Sequence, residues 1–408
     1  MACALQKAML LCNLISVTDG RLVDIGTSGR YITSVNPSSD RNPVQGPSPF
    51  ISFQDAIVFP GLINSHDHLD FNSFPQLGNK IYPSYVAWGE DIHLQNKAEI
   101  EAVLKIPKAL RIQWGVYKNL LNGITTVVNH GPKTNIETDL VSVYEDCHVL
   151  HSVQLDKKWK LKLNFPFAKK QPFVIHVGEG TDEEANKEID RLIRWNILNR
   201  KLIGIHAVAM TGQQARHFKA LIWCPDSNYF LVGDTAPVKD LKQQTRILFG
   251  TDSTVSAGWN LWNHLRLARQ ENQLTDAELY ASLTTVASEI WRLPKRGSIT
   301  TGQEADLVVA ERKTGYSAMD AFYSVNPEEI LLVTRQGRIN LVDARLENAV
   351  FTAPGSRTGF SAICINGRTK YVRGDLPALM KEMKRVHPGV VFPFYTERTG
   401  EEGHAPSV

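Results

Sequence analysis

The chain has 408 residues, 43% hydrophobic and 21% charged, and its 45 basic and 42 acidic side chains leave a net charge of +3. That is length for a large core and more than one structural unit, and the charge balance excludes the basic footprint of a nucleic-acid binder. The five cysteines (Cys3, Cys12, Cys147, Cys224, Cys364) are odd in number and scattered without a CxxC pair, which argues against a disulfide framework and for a reducing cytoplasm.

From residue 1 to about 58, short β-like runs such as Met9-Leu10-Leu11-Cys12 and Arg30-Tyr31-Ile32-Thr33-Ser34-Val35 alternate with turn residues. Met1 to Val17 lacks the basic region and cleavage site of a signal peptide. No run approaches the ~18 apolar residues of a membrane span. The apolar run from Val58 then ends in His66-Asp67-His68. Side chains along a strand repeat with period two, so both imidazoles face one way and can share a metal. Alone, such a pair reads equally as two core or surface histidines. Three later runs shift that balance: Phe173-Val174-Ile175-His176 followed by Glu179, Leu202-Ile203-Gly204-Ile205-His206, and Ile247-Leu248-Phe249-Gly250-Thr251-Asp252. Continuous hydrophobics ending in chemistry are the pattern of buried parallel strands. In a barrel of alternating strands and helices those C-terminal ends meet on one face.

Strand candidates fall at 58–63, 124–128, 148–154, 161–165, 173–177, 202–206, 221–224 and 246–250, with helices such as 98–121 and 181–199 between them. The interval from His130 to His176 is short for two further strands and their helices. The gap Asp156-Lys157-Lys158-Trp159-Lys160 before the 161–165 candidate reads as a turn, not a crossover. The third βα unit is therefore expected to be truncated or partly replaced by a hairpin. The basic stretch Lys157 to Lys170, with Trp159, Phe165 and Phe167, reads as a solvated loop, with an anionic partner as the alternative. After Gly302 short strands return at 305–310, 330–334 and 362–368, and Arg373 to Val386 is amphipathic at helical spacing. The tail 399–408 is polar and expected to be mobile.

Several motifs occur together: Phe59-Pro60-Gly61-Leu62-Ile63-Asn64-Ser65-His66-Asp67-His68, Gly123-Ile124-Thr125-Thr126-Val127-Val128, His176 with Glu179, His206, Cys224-Pro225-Asp226-Ser227-Asn228, Gly250-Thr251-Asp252-Ser253, and Gly297-Ser298-Ile299 through Gly302 to Val309. As a set they resemble the amidohydrolase superfamily over nearly the whole chain. His176-x-x-Glu179 with His206 resembles the branch of cytosine and guanine deaminases and triazine hydrolases, which generally use one metal. The resemblance implies an α/β fold: a TIM-like (β/α)8 barrel over 59–299 and a small β-sandwich from 1–58 and 300–372. The helix and tail of 373–408 are expected to pack on that sandwich.

His66, His68 and His176 supply nitrogen donors and Asp252 an oxygen. Three or four such ligands plus water make the open site of a catalytic zinc, with iron as the alternative. One such ion would lower the pKa of its water toward ~7. Asp252 could also accept the water proton, or merely cap a helix. Glu179 could protonate a ring nitrogen and the leaving group, or merely start a helix. His206 is either a ligand or a group that polarises substrate, and the resemblance implies the second. Two-metal relatives carry a carboxylated lysine near the fourth strand. Lys160, Lys162, Lys169 and Lys170 fall in that region, but none follows a clean strand. His130, Asn228 and Trp88 are the candidate substrate contacts. The expected function is metal-dependent hydrolysis of a non-peptide C–N bond, by deamination of an amino-substituted nitrogen heterocycle. An amide, lactam or cyclic imide hydrolase, a dehalogenating hydrolase and an inactive scaffold are the alternatives. A homodimer is allowed; no nucleic-acid or membrane partner is expected.

Overall fold

Runs of Val, Ile and Leu too short for helices become strands here, and what lies between them decides how the strands pair. In the computed structural model, residues 8–38, 50–134, 136–167 and 170–396 are described; the polar tail 399–408 lies outside them. Four strands come first: β1 (Met9–Ser16), β2 (Leu22–Ser28), β3 (Tyr31–Pro37) and β4 (Phe50–Pro60). Five come last: β13 (Leu307–Glu311), β14 (Ile330–Arg335), β15 (Arg338–Asp343), β16 (Phe360–Ile365) and β17 (Arg368–Arg373). All nine form one sheet in the order β16-β17-β15-β14-β13-β4-β1-β2-β3. The joint between the chain's two ends is the antiparallel ladder of β4 and β13, with Val58 opposite Val309.

Eight short strands between them are parallel wherever they pair. β5 (Leu62–Asp67), β6 (Ile124–Asn129) and β7 (Ser142–Tyr144) make one sheet. β8 (His148–Ser152), β9 (Phe173–Val177), β10 (Leu202–His206), β11 (Phe218–Trp223) and β12 (Arg246–Phe249) make another. Helices α1 (Tyr85–Gln95), α2 (Lys97–Leu104) and α3 (Lys108–Leu121) separate β5 from β6. The single helix expected over 98–121 is thus two, parted at Pro107, which cannot donate to a continuing helix. At the far edge, the backbone N–H groups of Thr251 and Asp252, just past β12, each donate to the His66 carbonyl at 3.1 Å. Gly250 permits this approach, because a Cβ there would lie 2.7 Å from the Cβ of His66.

Of the two outcomes expected for the compressed middle, truncation is what the structure shows, without the hairpin. β7 and β8 run parallel to the neighbours they pair with, β6 and β9, and only three residues separate them. A crossover between parallel neighbours needs a dozen or more, so no βα unit fits there. One path pairs first with β6 and then with β9. The strand expected at 161–165 is a short helix, α4 (Trp159–Leu163), lying in the β8–β9 connection. Its apolar/polar alternation misleads, because Trp159 and Leu163, one turn apart, are the buried pair while Leu161 faces solvent. No hairpin forms: β8 pairs with β9 in parallel.

α5 (Glu183–Trp195) begins where the Asp182 carboxylate accepts from the Ala185 N–H at 2.8 Å, a side-chain N-cap. The helix Leu376–Val386 buries Leu376, Leu379, Met380 and Met383. The segment after it lays Phe392 and Phe394 against Trp114 of α3, so the C-terminal region reaches the parallel-strand unit as well as β16. No helix among the described residues is long and apolar enough to cross a membrane.

Candidate active site

β5 delivers His66 and His68 to one side and Asp67 to the other, as strand alternation requires. His66 is fully buried, and neither of its ring nitrogens has a hydrogen-bond partner among the described residues. Buried polar groups are almost always satisfied, so this ring calls for a group that the protein chain does not itself supply. His66 Nε2 lies 3.5 Å from Asp252 Oδ1, and His68 Nε2 lies 3.8 Å from the same oxygen. His176 arrives from β9 with its Nε2 3.3 Å from that of His68. Its Nδ1 lies 2.9 Å from the His151 carbonyl oxygen. A carbonyl only accepts, so the proton sits on Nδ1 and Nε2 presents its lone pair inward.

Burial, then the neighbouring His66, pulls His68 down to about 4. Burial, then His130 and His66, takes His176 well below the ordinary range. Neutral imidazoles are the form that binds metal. Asp252 is the anion among them. Burial alone would raise its pKa, but the close approach of His66 and the fields of His66, His68 and His206 hold it well below the usual carboxylate range. Its Oδ2 accepts from the Ser227 and Ser256 hydroxyls at 2.8 and 2.9 Å, and its Oδ1 from the Ser253 N–H at 2.8 Å. The donor atoms of His66, His68 and Asp252 lie within 4.8 Å of one another, as do those of His66, His176 and His206. Three nitrogens, one oxygen and an orphaned buried ring fit a divalent ion of the zinc type.

A chain of hydrogen bonds sets the role of His206. Trp223 Nε1 donates to the Thr235 hydroxyl at 2.7 Å, whose own hydrogen is then directed to Asn228 Oδ1 at 3.5 Å. That leaves the Asn228 amide nitrogen facing His206 Nδ1 at 2.9 Å, as a donor. With the amide so oriented by its network, His206 carries its proton on Nε2, which lies 3.4 Å from Glu179 Oε1. A protonated Nε2 is a donor, not a ligand. Burial, followed by the charges of Asp252 and Glu188, raises the Glu179 pKa well above its ordinary value. Glu188, on α5, braces the turn between His176 and Glu179. It accepts from the Gly178 N–H at 2.7 Å and from the Gln154 amide at 3.0 Å. Burial lifts its own pKa to about 7 against those two bonds.

The strand ends are strained where they turn. His206, Ala207 and Asp252 have φ of 72°, 56° and 57°, left-handed values that cost a non-glycine residue roughly 1 kcal/mol or more each. Such outliers gather where a side chain must be aimed.

The structure thus brings His66, His68, His176, His206, Glu179 and Asp252 together. His130 joins them, its ring centroid 4.4 Å from that of His176 and 5.3 Å from those of His66 and His68, and both its nitrogens are buried without a partner among the described residues. Asn228, expected at the substrate, is fully buried and spends its amide behind His206. Trp88 donates its indole N–H to the Leu77 carbonyl at 2.6 Å, leaving only its apolar ring to offer.

A polar layer beneath the site was not anticipated. Asp67 accepts from the Asn72 and Asn119 amides at 2.9 and 2.8 Å. Lys118 of α3 lies 3.4 Å from Asp67 Oδ2 and donates to Asn72 Oδ1 at 2.7 Å and to the Asp252 carbonyl at 3.1 Å. Asn64 joins Asn119 Oδ1 and the Thr251 hydroxyl at 3.0 and 2.8 Å. The layer ties the histidine-bearing end of β5 to the Asp252 turn through α3. The signal for it was Asp67 itself: a carboxylate between two inward histidines must point at the helix layer and needs a buried cation or amides there.

The amidohydrolase family matches residues 151–340. No curated protein matches the chain significantly. Among solved structures, a zinc-bound adenosine deaminase from Xanthomonas campestris is 16% identical, covers 94% of this chain and 98% of its own, and superposes with a TM-score of 0.69. An atrazine chlorohydrolase from Arthrobacter aurescens, complexed with zinc and atraton, is 18% identical over 85% of this chain and 99% of its own, with a TM-score of 0.61. An aminofutalosine deaminase from Helicobacter pylori in complex with methylthio-coformycin is 13% identical over 82% of this chain and 100% of its own, with a TM-score of 0.62. At such identities the likeness speaks for a shared TIM-like fold.

Proposed function

From the amidohydrolase family domain that the chain carries, we propose that this metal-dependent hydrolase deaminates an amino-substituted nitrogen heterocycle. The observation that carries the reading is the buried Glu179 carboxyl, its pKa raised by burial, 3.4 Å from His206 Nε2 and next to a cluster of imidazoles with one carboxylate. His66, His68, His176 and Asp252 are the residues that would hold one divalent ion, zinc in first place and iron in second. Such an ion supplies Lewis acidity and water that ionises near neutral pH.

The chain's own groups account for the proton traffic. Asp252, anionic and fixed by Ser227, Ser253 and Ser256, accepts the proton of the attacking water. Glu179 gives its proton to the ring nitrogen beside the amino-bearing carbon as the C–O bond forms. His206 Nε2–H supports the developing charge and keeps Glu179 in line. The C–N bond then breaks as the amino group takes the proton held by Asp252 and departs as ammonia, while the hydroxyl proton returns to Glu179 and the ring carbon keeps oxygen. A chlorohydrolase among the structural neighbours makes halide displacement the second reading, since the same carbon and the same acid would serve it.

Elemental analysis of chain purified without chelator, followed by a screen of aminated heterocycles for ammonia release, tests the proposal. About one zinc or iron per chain is expected, with ammonia release that chelation abolishes. Glu179→Gln should keep the metal and lose roughly 10²–10⁴-fold in rate. Two metals per chain, or ammonia release untouched by Glu179→Gln, would overturn it.

A further inference from the structure

The lysine-rich stretch beside α4 has no part in the chemistry, and its surroundings are unusual. Residues 157–171 hold six lysines and no acid, and residues 191–201 hold four more cations and no acid. The fold puts the described parts of the two segments side by side. Asn164 donates to the Trp195 carbonyl at 2.8 Å, Arg200 donates to the Phe165 carbonyl at 2.6 Å, and Lys160 Nζ sits 4.2 Å from the centroid of the Trp195 ring. Between the cations, large apolar side chains stand in water: Phe167 is 85% exposed, Leu161 76% and Ile197 71%, with Phe165, Trp195 and Leu198 also exposed. Exposed apolar patches of this kind mark interaction surfaces. Next to them opens a groove of about 720 Å³, bounded by Leu161, Phe165 and Phe167 on one side and by Cys147 to Leu150 on the other. The acids on its far wall are engaged: Glu145 accepts from Asn129 and from the Thr134 N–H, and Asp146 accepts from Gln171.

We infer that this face docks on an anionic lipid bilayer. Cations interleaved with Phe, Trp, Leu and Ile are the composition that seats in the headgroup region of such a membrane, the apolar tips entering the acyl boundary while lysine ammoniums meet lipid phosphates. A second copy of the chain is disfavoured by charge, since a two-fold contact would set this cationic face against itself. Nucleic acid is disfavoured because protruding Leu161, Ile197 and Leu198 offer it neither stacking nor charge. The surface replaces the solvated loop expected from sequence: α4 buries Trp159 and Leu163 and turns Leu161 outward.

The test is co-sedimentation of the full chain with vesicles of phosphatidylcholine alone and of phosphatidylcholine doped with phosphatidylserine. Binding to the doped vesicles only, falling as salt rises, is expected. Reversing Lys157, Lys158 and Lys170 together to Glu should weaken it more than about tenfold at roughly 1 kcal/mol per cation. Phe167→Ser with Ile197→Ser should also weaken it, without moving the melting temperature, because all five side chains are exposed. Absence of binding to doped vesicles, or binding indifferent to both sets of changes, overturns the inference. So does a sedimentation coefficient that falls in the Glu variant without vesicles, which would assign the face to self-association.

Discussion

Replacing Lys118 by Met asks how much the polar layer under the site contributes. The Lys118 side chain is 1% exposed and that of Asp67 0%. The ammonium has three hydrogens and three oxygens around it: Asn72 Oδ1 at 2.7 Å, the Asp252 carbonyl at 3.1 Å and Asp67 Oδ2 at 3.4 Å. Met fills similar space and donates nothing. The Asp252 carbonyl keeps the Thr251 hydroxyl at 3.0 Å, and Asn72 Oδ1 keeps the Thr254 N–H at 3.3 Å. Asp67 keeps two amides but loses its only nearby cation in this layer. At 3.4 Å and an effective dielectric near 20, the Coulomb attraction lost is roughly 5 kcal/mol, and removing one partner of a buried pair costs about 3–5 kcal/mol in practice. Lys118→Met should therefore lose about that much in urea unfolding of the chelated chain, where metal linkage cannot mask it. Adding Asp67→Asn should restore a large part, because the uncompensated charge goes with it. A loss below about 1 kcal/mol, or no recovery in the double variant, would refute the view that this layer is a charge-paired brace. The metal-loaded chain adds a second readout. Lys118 holds the Asp252 carbonyl, so Lys118→Met should also lose metal to a chelator faster than a variant of equal instability made in the nine-stranded sheet.

Two further outcomes follow from the same kind of accounting. Asn228→Leu removes the donor to His206 Nδ1 and frees the proton to move there, leaving Nε2 able to ligate; metal should bind at least as tightly while ammonia release falls, about 10-fold or more, and an unchanged rate would show that the tautomer is not controlled from Asn228. In the sheet, burial would raise Asp343, yet the hydrogen bonds of Arg345 and the charge and hydrogen bond of Lys370 hold it at about 2. A depressed carboxyl adds stability that is complete above its unfolded value near 4 and disappears as pH falls through about 2, here up to about 2 kcal/mol. Lys370 works against this, since burial pulls its own pKa down, so the net effect is smaller than Asp343 alone suggests. Asp343→Asn should flatten the fall in melting temperature between about pH 4 and pH 2; an unaltered slope would place the acid sensitivity elsewhere.

The cluster of His66, His68, His176 and Asp252 was legible because three strands each end in residues whose side chains must point into the same space. All four follow continuous apolar runs, and parallel pairing with common direction brings such ends together whatever the loops do. Glu179 was legible from its place three residues past His176. The part played by Asn228 was not, since a residue one helical turn past a strand can face either the cavity or its neighbour's ring, and only the Trp223–Thr235 relay decides between them. Lys118 and Asn119 were hidden for a related reason. They lie in the apolar run Ile112 to Leu121 of α3, where periodicity identifies a buried face but says nothing about which polar groups from another strand it meets.

The middle of the chain shows where local pattern gives way to connection length. Leu161-Lys162-Leu163-Asn164-Phe165 alternates as a strand does, and the preceding Asp156 to Lys160 looks like the turn of a hairpin. Yet a hairpin would return β8 antiparallel beside β9, and both strands run the same way. Twenty residues separate the end of β8 at Ser152 from the start of β9 at Phe173, enough for one short helical crossover and no more. With that connection spent on α4, the three residues between β7 and β8 can only continue in one direction. The same economy explains the surface left behind. A full βα unit would lay a second helix over this flank, whereas a single five-residue helix buries Trp159 and Leu163 and leaves Leu161, Phe165 and Phe167 in water. The shortened crossover and the exposed cationic, apolar face are therefore two consequences of one missing helix.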